Sequence, residues 1–433
     1  MNPFLETLLD TPLDDTYRGI PPGEPAVPLR GVAARGWQPR SGNMALPVLT
    51  LDEAAFAHNV EQIFQYARSH GAALAPQAKT PMSPQIVQRL LDAGAWGATV
   101  ANLQQAAVLL RAGVTRLMLG NEIGGAARGA RLGKLLAGYP HARLLAFADS
   151  ADTVRSLAAA AADAGRPVEG LGDVGGGRAG ARDDAAVAAI LAAIREQGDK
   201  LALAGVATYE GAVASSAAAL TASNIAALME RAAGAFTDVR ARAPHAPLVF
   251  TAGGSAFFDH VTQAAKGWLS EDGNAQLVLR SGAIFFHDHG TYQRALQAMD
   301  ARAGFLVAGQ ARNAATDFRP ALRLWGEVLS RPEPGLAICG CGMRDVSYDQ
   351  DLPAPLAAFR GGAALPGWDT QARVTRLNDQ HAFLAIAPDS ELAPGDVIEF
   401  GISHPCTCLD RWRVFFGLDA DGRVQSAYRT FFG

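Results

Sequence analysis

Short apolar runs alternate with Ala- and Leu-rich stretches of helical periodicity through the middle of the chain. The apolar runs are continuous, as in strands that are buried on both faces of a parallel sheet. There are eight of them, at 72–78, 97–101, 117–120, 144–148, 168–174, 203–209, 248–252 and 276–279. The helical stretches between them include 82–93, 103–112, 152–164, 184–197 and 217–242. Eight such strands, most followed by a helix, predict an α/β fold with a TIM-like (β/α)8 barrel. A doubly wound sheet is the alternative.

The pattern is different on both sides of this region. Residues 1–45 are rich in Pro and Gly with little periodicity, which indicates an extended N-terminal arm. A strand is predicted at 47–51, and Asp52 begins a helix that runs to Ala67. Short alternating runs after Phe305 predict a mostly-β domain at 325–329, 336–340, 382–387, 397–401 and 414–416. We therefore divide the chain into an arm (1–45), a barrel (46–305) and a C-terminal β domain (306–433) that also takes up the N-terminal segment.

Composition narrows the class of protein. The chain has 433 residues, 49% apolar and 18% charged, with a net charge of -4, as expected for a soluble globular protein. Neither a basic run nor a membrane-length apolar segment is present, so we expect no nucleic-acid partner, no membrane insertion and a cytoplasmic location. The four cysteines form two Cys-x-Cys pairs, Cys339/Cys341 and Cys406/Cys408. In a long reduced chain this spacing indicates metal binding or packing before disulfides.

A lysine stands where the first barrel strand ends. Lys79 lies in the segment Gln77-Ala78-Lys79-Thr80-Pro81, between a predicted strand and a predicted helix. In a barrel the chemistry sits on the loops that follow the strands. Desolvation there would lower the pKa of the amine, which could then form a Schiff base with an aldehyde cofactor. The alternative is an ordinary solvated or ion-paired lysine.

Glycine-rich loops follow three of the later strands. The fifth strand leads into 173–180, where small residues allow close backbone approach and Arg178 offers a fixed positive fork. The seventh and eighth lead into Gly253-Gly254-Ser255 and Gly282-Ala283, which present backbone N–H groups. Barrels commonly bind phosphate on these last two loops. A lysine and a phosphate site around one barrel mouth suit pyridoxal phosphate.

With these residues, the chain resembles the D-serine dehydratase/D-threonine aldolase family within the alanine racemase-like, fold type III pyridoxal phosphate enzymes. The resemblance runs from about Pro47 to the C-terminus. It depends on motifs at 78–80, 121–122, 173–175 with 178 and 180, 209–211, 253–255, 280–282, 347–349, 380–381 and 404–406.

The resemblance implies roles for individual residues. Lys79 would carry the cofactor as a Schiff base, Arg178 would face the pyridine nitrogen, and Tyr209 would line the pocket. The cofactor phosphate would be held by the remaining residues, namely Gly253, Gly254, Ser255, Gly282 and Ala283. An arginine at the ring nitrogen would keep the ring a weaker electron sink than a carboxylate partner would.

A second candidate group lies near the C-terminus. His404 and Cys406 are two residues apart, so on a strand both would point to one face and could bind a single ion. Cys408 would point the same way, and His381 is nearby in sequence. The alternatives are a buried cysteine with a hydrogen-bonded histidine, or a structural zinc held by both Cys-x-Cys pairs. The resemblance implies that His404 and Cys406 bind Zn²⁺ beside the cofactor, without Cys408.

These expectations combine into one hypothesis. The protein would be a lyase that removes water from a D-β-hydroxy amino acid, as a D-serine or D-threonine dehydratase giving a 2-oxo acid and ammonia. D-threonine aldolase is the alternative, and Pro81 and Gln77 occupy positions where many relatives carry histidine. A non-catalytic pyridoxal phosphate-binding protein is an alternative of another class, although such barrels lack a C-terminal β domain. The resemblance also implies a homodimer with shared active sites.

Overall fold

The first large unit is a parallel barrel. The computed structural model describes residues 2–368 and 372–432. Its eight parallel strands, β1 to β8, are Ala72–Leu74, Ala98–Val100, Arg116–Glu122, Arg143–Ala148, Val168–Val174, Leu201–Thr208, Leu248–Ala252 and Ala275–Leu279. Strand β1 pairs with β8, and each later strand pairs with its neighbour in sequence. Backbone bonds from Trp96 N to Leu74 O (2.7 Å) and from Ala78 N to Thr99 O (2.8 Å) close the circle between β1 and β2. The predicted barrel is confirmed, and the doubly wound sheet is excluded.

Helices surround the barrel and begin at the residues that cap them. After β1 to β8 they run over Pro84–Asp92, Leu103–Arg111, Ala126–Ala137, Ala151–Ala164, Asp184–Glu196, Ala218–Arg242, Phe258–Ser270 and Thr291–Ala301. The helix Glu53–Ser69 precedes β1. Side chains of Asp52, Asn102 and Asp183 accept a backbone N–H at their helix starts, and Ser150 forms a capping box with Thr153. Because these caps are visible in the sequence, the predicted helix boundaries lie within about two residues of the observed ones.

The barrel is filled by side chains. Its interior cluster consists of small and branched residues with one aromatic ring, namely Ala75, Met118, Leu145, Phe147, Leu171, Ala204, Ala207, Val249 and Val278. A larger apolar layer lies between the strands and the surrounding helices. The barrel is therefore a packed scaffold, and the open space lies at its ends.

The second unit is a ten-stranded, mostly antiparallel sheet. Its strands are Val48–Asp52, Leu322–Glu333, Leu336–Cys339, Ala354–Arg360, Ala363–Ala364, Arg373–Leu377, Ala382–Ala385, Val397–Gly401, Val414–Leu418 and Val424–Arg429. The long strand Leu322–Glu333 pairs with three others, among them Val48–Asp52. The prediction that the β domain takes up the N-terminal segment is confirmed.

Smaller elements connect these units. The pair Leu306–Val307 and Gln310–Ala311 and the helix Ala314–Asp317 follow the barrel, and the helix Pro405–Leu409 interrupts the second sheet. No helix among the described residues is both long enough and apolar enough to cross a membrane.

Of residues 2–45, most apolar side chains from Leu13 onward pack on the second sheet, whereas Leu5 and Leu8 pack with Ala112 of the barrel unit. They form the helix Pro3–Leu9, the paired strands Pro12–Leu13 and Val27–Pro28, and the 3-10 helices Leu29–Arg35 and Pro39–Ser41. Trp37 is buried and its ring meets Phe416 edge-on at 6.4 Å between centroids. The segment therefore has more regular structure, and more burial, than the extended arm that its Pro- and Gly-rich composition predicts.

Candidate functional site

A cleft of about 550 Å³ opens at the carboxyl ends of the barrel strands, and the segment 404–407 of the second unit forms one wall. All the predicted site residues except Gly253 line it, namely Lys79, Arg178, Tyr209, Gly254, Ser255, Gly282, Ala283, His404 and Cys406. The volume suits a small-molecule ligand. Residues from both ends of the sequence thus contribute to one cavity.

Lys79 stands on a tight turn after β1. It is the one lysine that lines the cleft, and the chain has only three others, Lys134, Lys200 and Lys266. Met82, which ends the turn, is fully buried with a φ of 37°, and its N–H bonds to Ala78 O at 2.8 Å. A non-glycine residue in this region is uncommon and strained, and such strain is frequent near functional sites. The Lys79 side chain itself is exposed in the cleft, so the protein alone does not supply the desolvation that the sequence argument invoked.

Two backbone N–H groups of the glycine loop after β7 bond to a side-chain carboxyl of the protein itself. Glu210 is fully buried, and its carboxylate accepts the N–H of Gly253 (3.0 Å) and of Gly254 (2.6 Å). A Cβ at Gly254 would lie 3.2 Å from Glu210 Oε1 and 3.1 Å from the Tyr209 ring, so a larger residue would crowd both side chains. The two N–H groups predicted to bind phosphate are therefore engaged. Glu210 lies in the motif 209–211, but the sequence did not predict these bonds, because they depend on the register of β6 against β7.

Ser255 follows Gly254 in the same loop and links that loop to the next one. Its hydroxyl oxygen accepts the N–H of Gly282 and of Ile284, both at 3.2 Å, and so ties the loop after β7 to the loop after β8. Ser255, Gly282 and Ala283 all line the cleft. The loops after β7 and β8 are thus joined through the Ser255 hydroxyl at the edge of the cleft.

Two arginines face the cleft from different depths. Arg178 is exposed, and its guanidinium lies 5.2 Å from the centroid of the Tyr209 ring. Arg280 is buried, donates to Thr251 Oγ1 (2.9 Å) and Thr208 O (2.7 Å), and lies over the Phe147 ring. Burial lowers the pKa of Arg280, while the carboxylates of Glu210 and Asp173 oppose the shift. Sequence reasoning assigned a role to Arg178 alone, although Arg280 begins the third glycine motif.

The floor of the cleft also carries titratable groups. Burial and the neighbouring Glu122 raise the pKa of Asp173 to about 8. Burial and the charge of Glu210 raise the pKa of Tyr209, and burial raises that of Tyr292.

His404 and Cys406 lie side by side on the opposite wall. His404 Nδ1 lies 2.8 Å from Asp349 Oδ2 and 3.0 Å from Thr407 Oγ1, and Cys406 Sγ lies 3.3 Å from Thr80 Oγ1. This leaves His404 Nε2 and the Cys406 sulfur for an ion, with a carboxylate that orients the ring, an arrangement common in zinc sites. Thiolate and imidazole are donors that zinc prefers. The pair fits Zn²⁺ with open coordination positions.

The local geometry differs from the predicted strand. His404 has extended backbone and caps the helix Pro405–Leu409, so Cys406 lies in the first helical turn. Successive helical residues are rotated by about 100°. Cys408 therefore points away from Cys406 into the core, where it is fully buried, and the expectation that both point the same way is wrong.

The other sulfur and histidine candidates lie elsewhere. Cys339 and Cys341 are buried, and His381 lines a separate surface groove with Met343 and Arg344. Over residues 2–368 and 372–432, no group of three or more His, Cys, Asp or Glu side chains is arranged to hold a metal. A zinc held by both Cys-x-Cys pairs is therefore excluded within this range.

Two protein-family models match the chain, one in each of its two main regions. Residues 51–268, half of the chain, match the alanine racemase N-terminal domain, and residues 321–418 match the serine dehydratase domain. A D-threonine aldolase of Arthrobacter sp. is 27% identical over 399 residues, which cover 90% of this chain and 91% of the relative.

Solved structures agree on the fold. The D-threonine aldolase from Filomicrobium marinum superposes with a TM-score of 0.71 at 23% identity, covering 90% of this chain and 95% of that one. The D-threo-3-hydroxyaspartate dehydratase from Delftia sp. HT23 gives a TM-score of 0.67 at 24% identity, covering 89% and 97%. At this identity the likeness shows a shared fold across both units.

Proposed function

The chain belongs to the alanine racemase N-terminal domain family, and we propose that it is a pyridoxal phosphate-dependent lyase acting on D-β-hydroxy amino acids. The reaction that we favour is zinc-assisted dehydration of D-serine or D-threonine, which releases a 2-oxo acid and ammonia. One observation carries the proposal. The same cleft is lined by Lys79, by Ser255 with Gly282 and Ala283, and by the His404/Cys406 pair.

The residues present fit the cofactor. Lys79 supplies the amine for an aldehyde, and Ser255, Gly282 and Ala283 would hold a phosphate. The buried Arg280 and the exposed Arg178 both line the cleft and add positive charge to it. When bound, pyridoxal phosphate supplies an electron sink for negative charge at the substrate Cα. Arg280 joins Arg178 as a candidate partner of the ring nitrogen, since its buried guanidinium has a fixed position.

The chain's own groups divide the remaining work. Lys79 Nζ is the lysine amine in the cleft that can take a proton from Cα. His404 and Cys406 would hold zinc, which when bound supplies a Lewis acid to the substrate hydroxyl. Arg178, whose guanidinium lies 5.2 Å from the Tyr209 ring centroid, would bind the substrate carboxylate and with Tyr209 limit the access of water. The products of dehydration follow when the hydroxyl leaves as water and the enamine that remains hydrolyses.

D-threonine aldolase remains the second candidate, because relatives of this name share both units of the fold. Cleavage of the Cα–Cβ bond needs a base for the β-hydroxyl proton. Pro81, where many relatives carry histidine, supplies none, and it is buried outside the residues that line the cleft. This favours dehydration. A non-catalytic pyridoxal phosphate-binding role is disfavoured, because such a protein needs no second unit with a zinc-type pair.

Product analysis separates these reactions. The purified protein, loaded with pyridoxal phosphate and zinc, is incubated with D-serine, D-threonine and D-threo-3-hydroxyaspartate. We expect 2-oxo acids and ammonia in equal amounts. Glycine with an aldehyde and no ammonia would overturn the dehydratase proposal in favour of the aldolase. No product from any substrate, with cofactor bound, would favour the non-catalytic role.

A further inference from the structure

The hydroxyl next to the cofactor lysine contacts the candidate metal ligand. Thr80 Oγ1 lies 3.3 Å from Cys406 Sγ, although the two residues are 326 positions apart in sequence. Thr80 is only 1% exposed. Within residues 2–368 and 372–432, the sulfur is the one hydrogen-bond partner of this hydroxyl. A buried hydroxyl with a single partner is held by that partner.

The direction of this hydrogen bond follows from the chemistry of the sulfur. Cysteine binds zinc as a thiolate, which has no proton to donate. With metal bound, Thr80 must therefore donate to Cys406, and hydrogen bonds to ionised acceptors are the stronger kind. His404 has its own orienting partner in Asp349, at 2.8 Å. Thr407 Oγ1 lies 3.0 Å from the same His404 nitrogen, so each candidate ligand has at least one neighbouring side chain that orients it.

The turn that carries Thr80 is held at both ends. Ala78 N–H bonds to Thr99 O at 2.8 Å, Met82 N–H bonds to Ala78 O at 2.8 Å, and Phe431 N–H bonds to Met82 O at 2.9 Å. Thr80 also follows Lys79 directly. Because the turn is short and fixed, Thr80 cannot move to follow the sulfur without moving Lys79. The bond therefore joins the metal side of the cleft to the cofactor side.

From this geometry we propose that Thr80 is a positioning residue that orients Cys406 for zinc and couples metal binding to cofactor binding at Lys79. The proposal rests on the function proposed above. Coupling between two sites is reciprocal, so zinc must change the affinity for pyridoxal phosphate by the same factor as pyridoxal phosphate changes the affinity for zinc. Loss of the Thr80 hydroxyl should remove this factor.

The test compares Thr80→Val, which keeps the shape and removes the hydroxyl, with Thr80→Ser, which keeps the hydroxyl. Zinc affinity is measured by chelator competition on cofactor-free protein, so no activity enters the result. Loss of an orienting partner of a metal ligand typically costs 10- to 100-fold in affinity. We expect about tenfold weaker zinc binding for Thr80→Val and nearly unchanged binding for Thr80→Ser. Pyridoxal phosphate titrations with and without zinc then give the coupling factor.

A double-mutant cycle tests whether Thr80 acts on zinc through Cys406. In a Cys406→Ala background, Thr80→Val should have no further effect on zinc affinity, because the sulfur it acts on is gone. Protection from alkylation gives a second measurement, since Cys406 is the one cysteine that is not buried. Zinc should slow the alkylation of Cys406 less in Thr80→Val than in the wild type.

The outcomes separate the two proposals. A wild-type protein that binds no zinc would overturn the zinc-assisted mechanism, and the role of Thr80 with it. Wild-type zinc binding with equal affinity in Thr80→Val, or an equal loss in the Cys406→Ala background, would overturn the role of Thr80 alone. Wild-type affinities for pyridoxal phosphate that do not respond to zinc would overturn the coupling. Thermal unfolding of each variant identifies a loss of fold, which Thr80→Ser should not show.

Discussion

Replacing Glu210 by alanine tests how the phosphate side of the cleft is built. In the wild type its buried carboxylate accepts the N–H groups of Gly253 and Gly254. Alanine removes both acceptors, and it also removes a negative charge beside the buried guanidinium of Arg280. We expect the loop after β7 to lose its fixed position.

The size of the effect follows from the two hydrogen bonds. A buried donor left without a partner costs about 1–3 kcal/mol. Gly253 is buried and should cost this full amount, whereas Gly254 faces the cleft, where water can replace the carboxylate. We therefore expect Glu210→Ala to lower the free energy of unfolding by about 1–3 kcal/mol, nearly all of it from Gly253. Glu210→Gln keeps one acceptor oxygen and should lie between the wild type and Glu210→Ala.

Urea unfolding of the cofactor-free protein measures this change, and an absorbance titration measures the affinity for pyridoxal phosphate. Glu196→Ala is the matched control, because Glu196 is exposed at the end of a barrel helix and should change stability by less than about 0.5 kcal/mol. Two results would refute the reasoning. One is wild-type stability in Glu210→Ala, and the other is tighter cofactor binding, which would mean that Glu210 blocks donors that phosphate prefers.

Three further changes test other parts of the site. Lys79→Ala should abolish the absorbance band of the bound cofactor, whereas the exposed Lys134→Ala should keep it, and borohydride reduction followed by peptide mapping should label Lys79 alone. The pKa of Asp173 is raised to about 8 in the folded chain, whereas in the unfolded chain an aspartate releases its proton near pH 4. Between these two pH values the folded chain binds more protons than the unfolded chain. The free energy of unfolding should therefore fall as pH rises from about 4 to 8. Asp173→Asn should flatten this part of the profile in urea unfolding at a series of pH values. Gly175→Ala should destabilise the fold by about 3 kcal/mol or more, because its Cβ would lie 1.7 Å from a backbone oxygen. Gly172→Ala is the control, because its Cβ would meet no atom within 4 Å. In the same urea assay it should lower the free energy of unfolding far less.

The barrel was predictable because its strands are buried on both faces. Such strands are continuous apolar runs, and the glycines and capping residues between them mark the turns. The observed β1 is shorter than the predicted run 72–78, since Pro76 has no N–H for the ladder. The second sheet was less predictable. Strand Arg373–Leu377 was missed because three of its five residues are exposed, so it lacks the apolar signal.

Residue types at strand ends were predictable, but their partners were not. The order of strands around a barrel brings every strand-end loop to one mouth, so Lys79 and the loops after β7 and β8 had to lie near one another. Which donor meets which acceptor depends on register and side-chain direction. Periodicity does not report these, and the bonds of Glu210 to the glycine loop and of Thr80 to Cys406 were therefore missed.

The choice between the two proposed reactions depends on what can accept a proton on the metal side of the cleft. His404 is the one imidazole among the described residues that line the cleft, and its Nδ1 is engaged by Asp349 and Thr407, which leaves Nε2 for an ion. A ring that is occupied on both nitrogens, as it would be with zinc bound, cannot also serve as a base. Since Pro81 supplies no base either, a β-hydroxyl bound beside zinc on His404 and Cys406 would meet a Lewis acid but no free imidazole. Such a wall assists departure of the hydroxyl as water more than removal of its proton, which is why we favour dehydration.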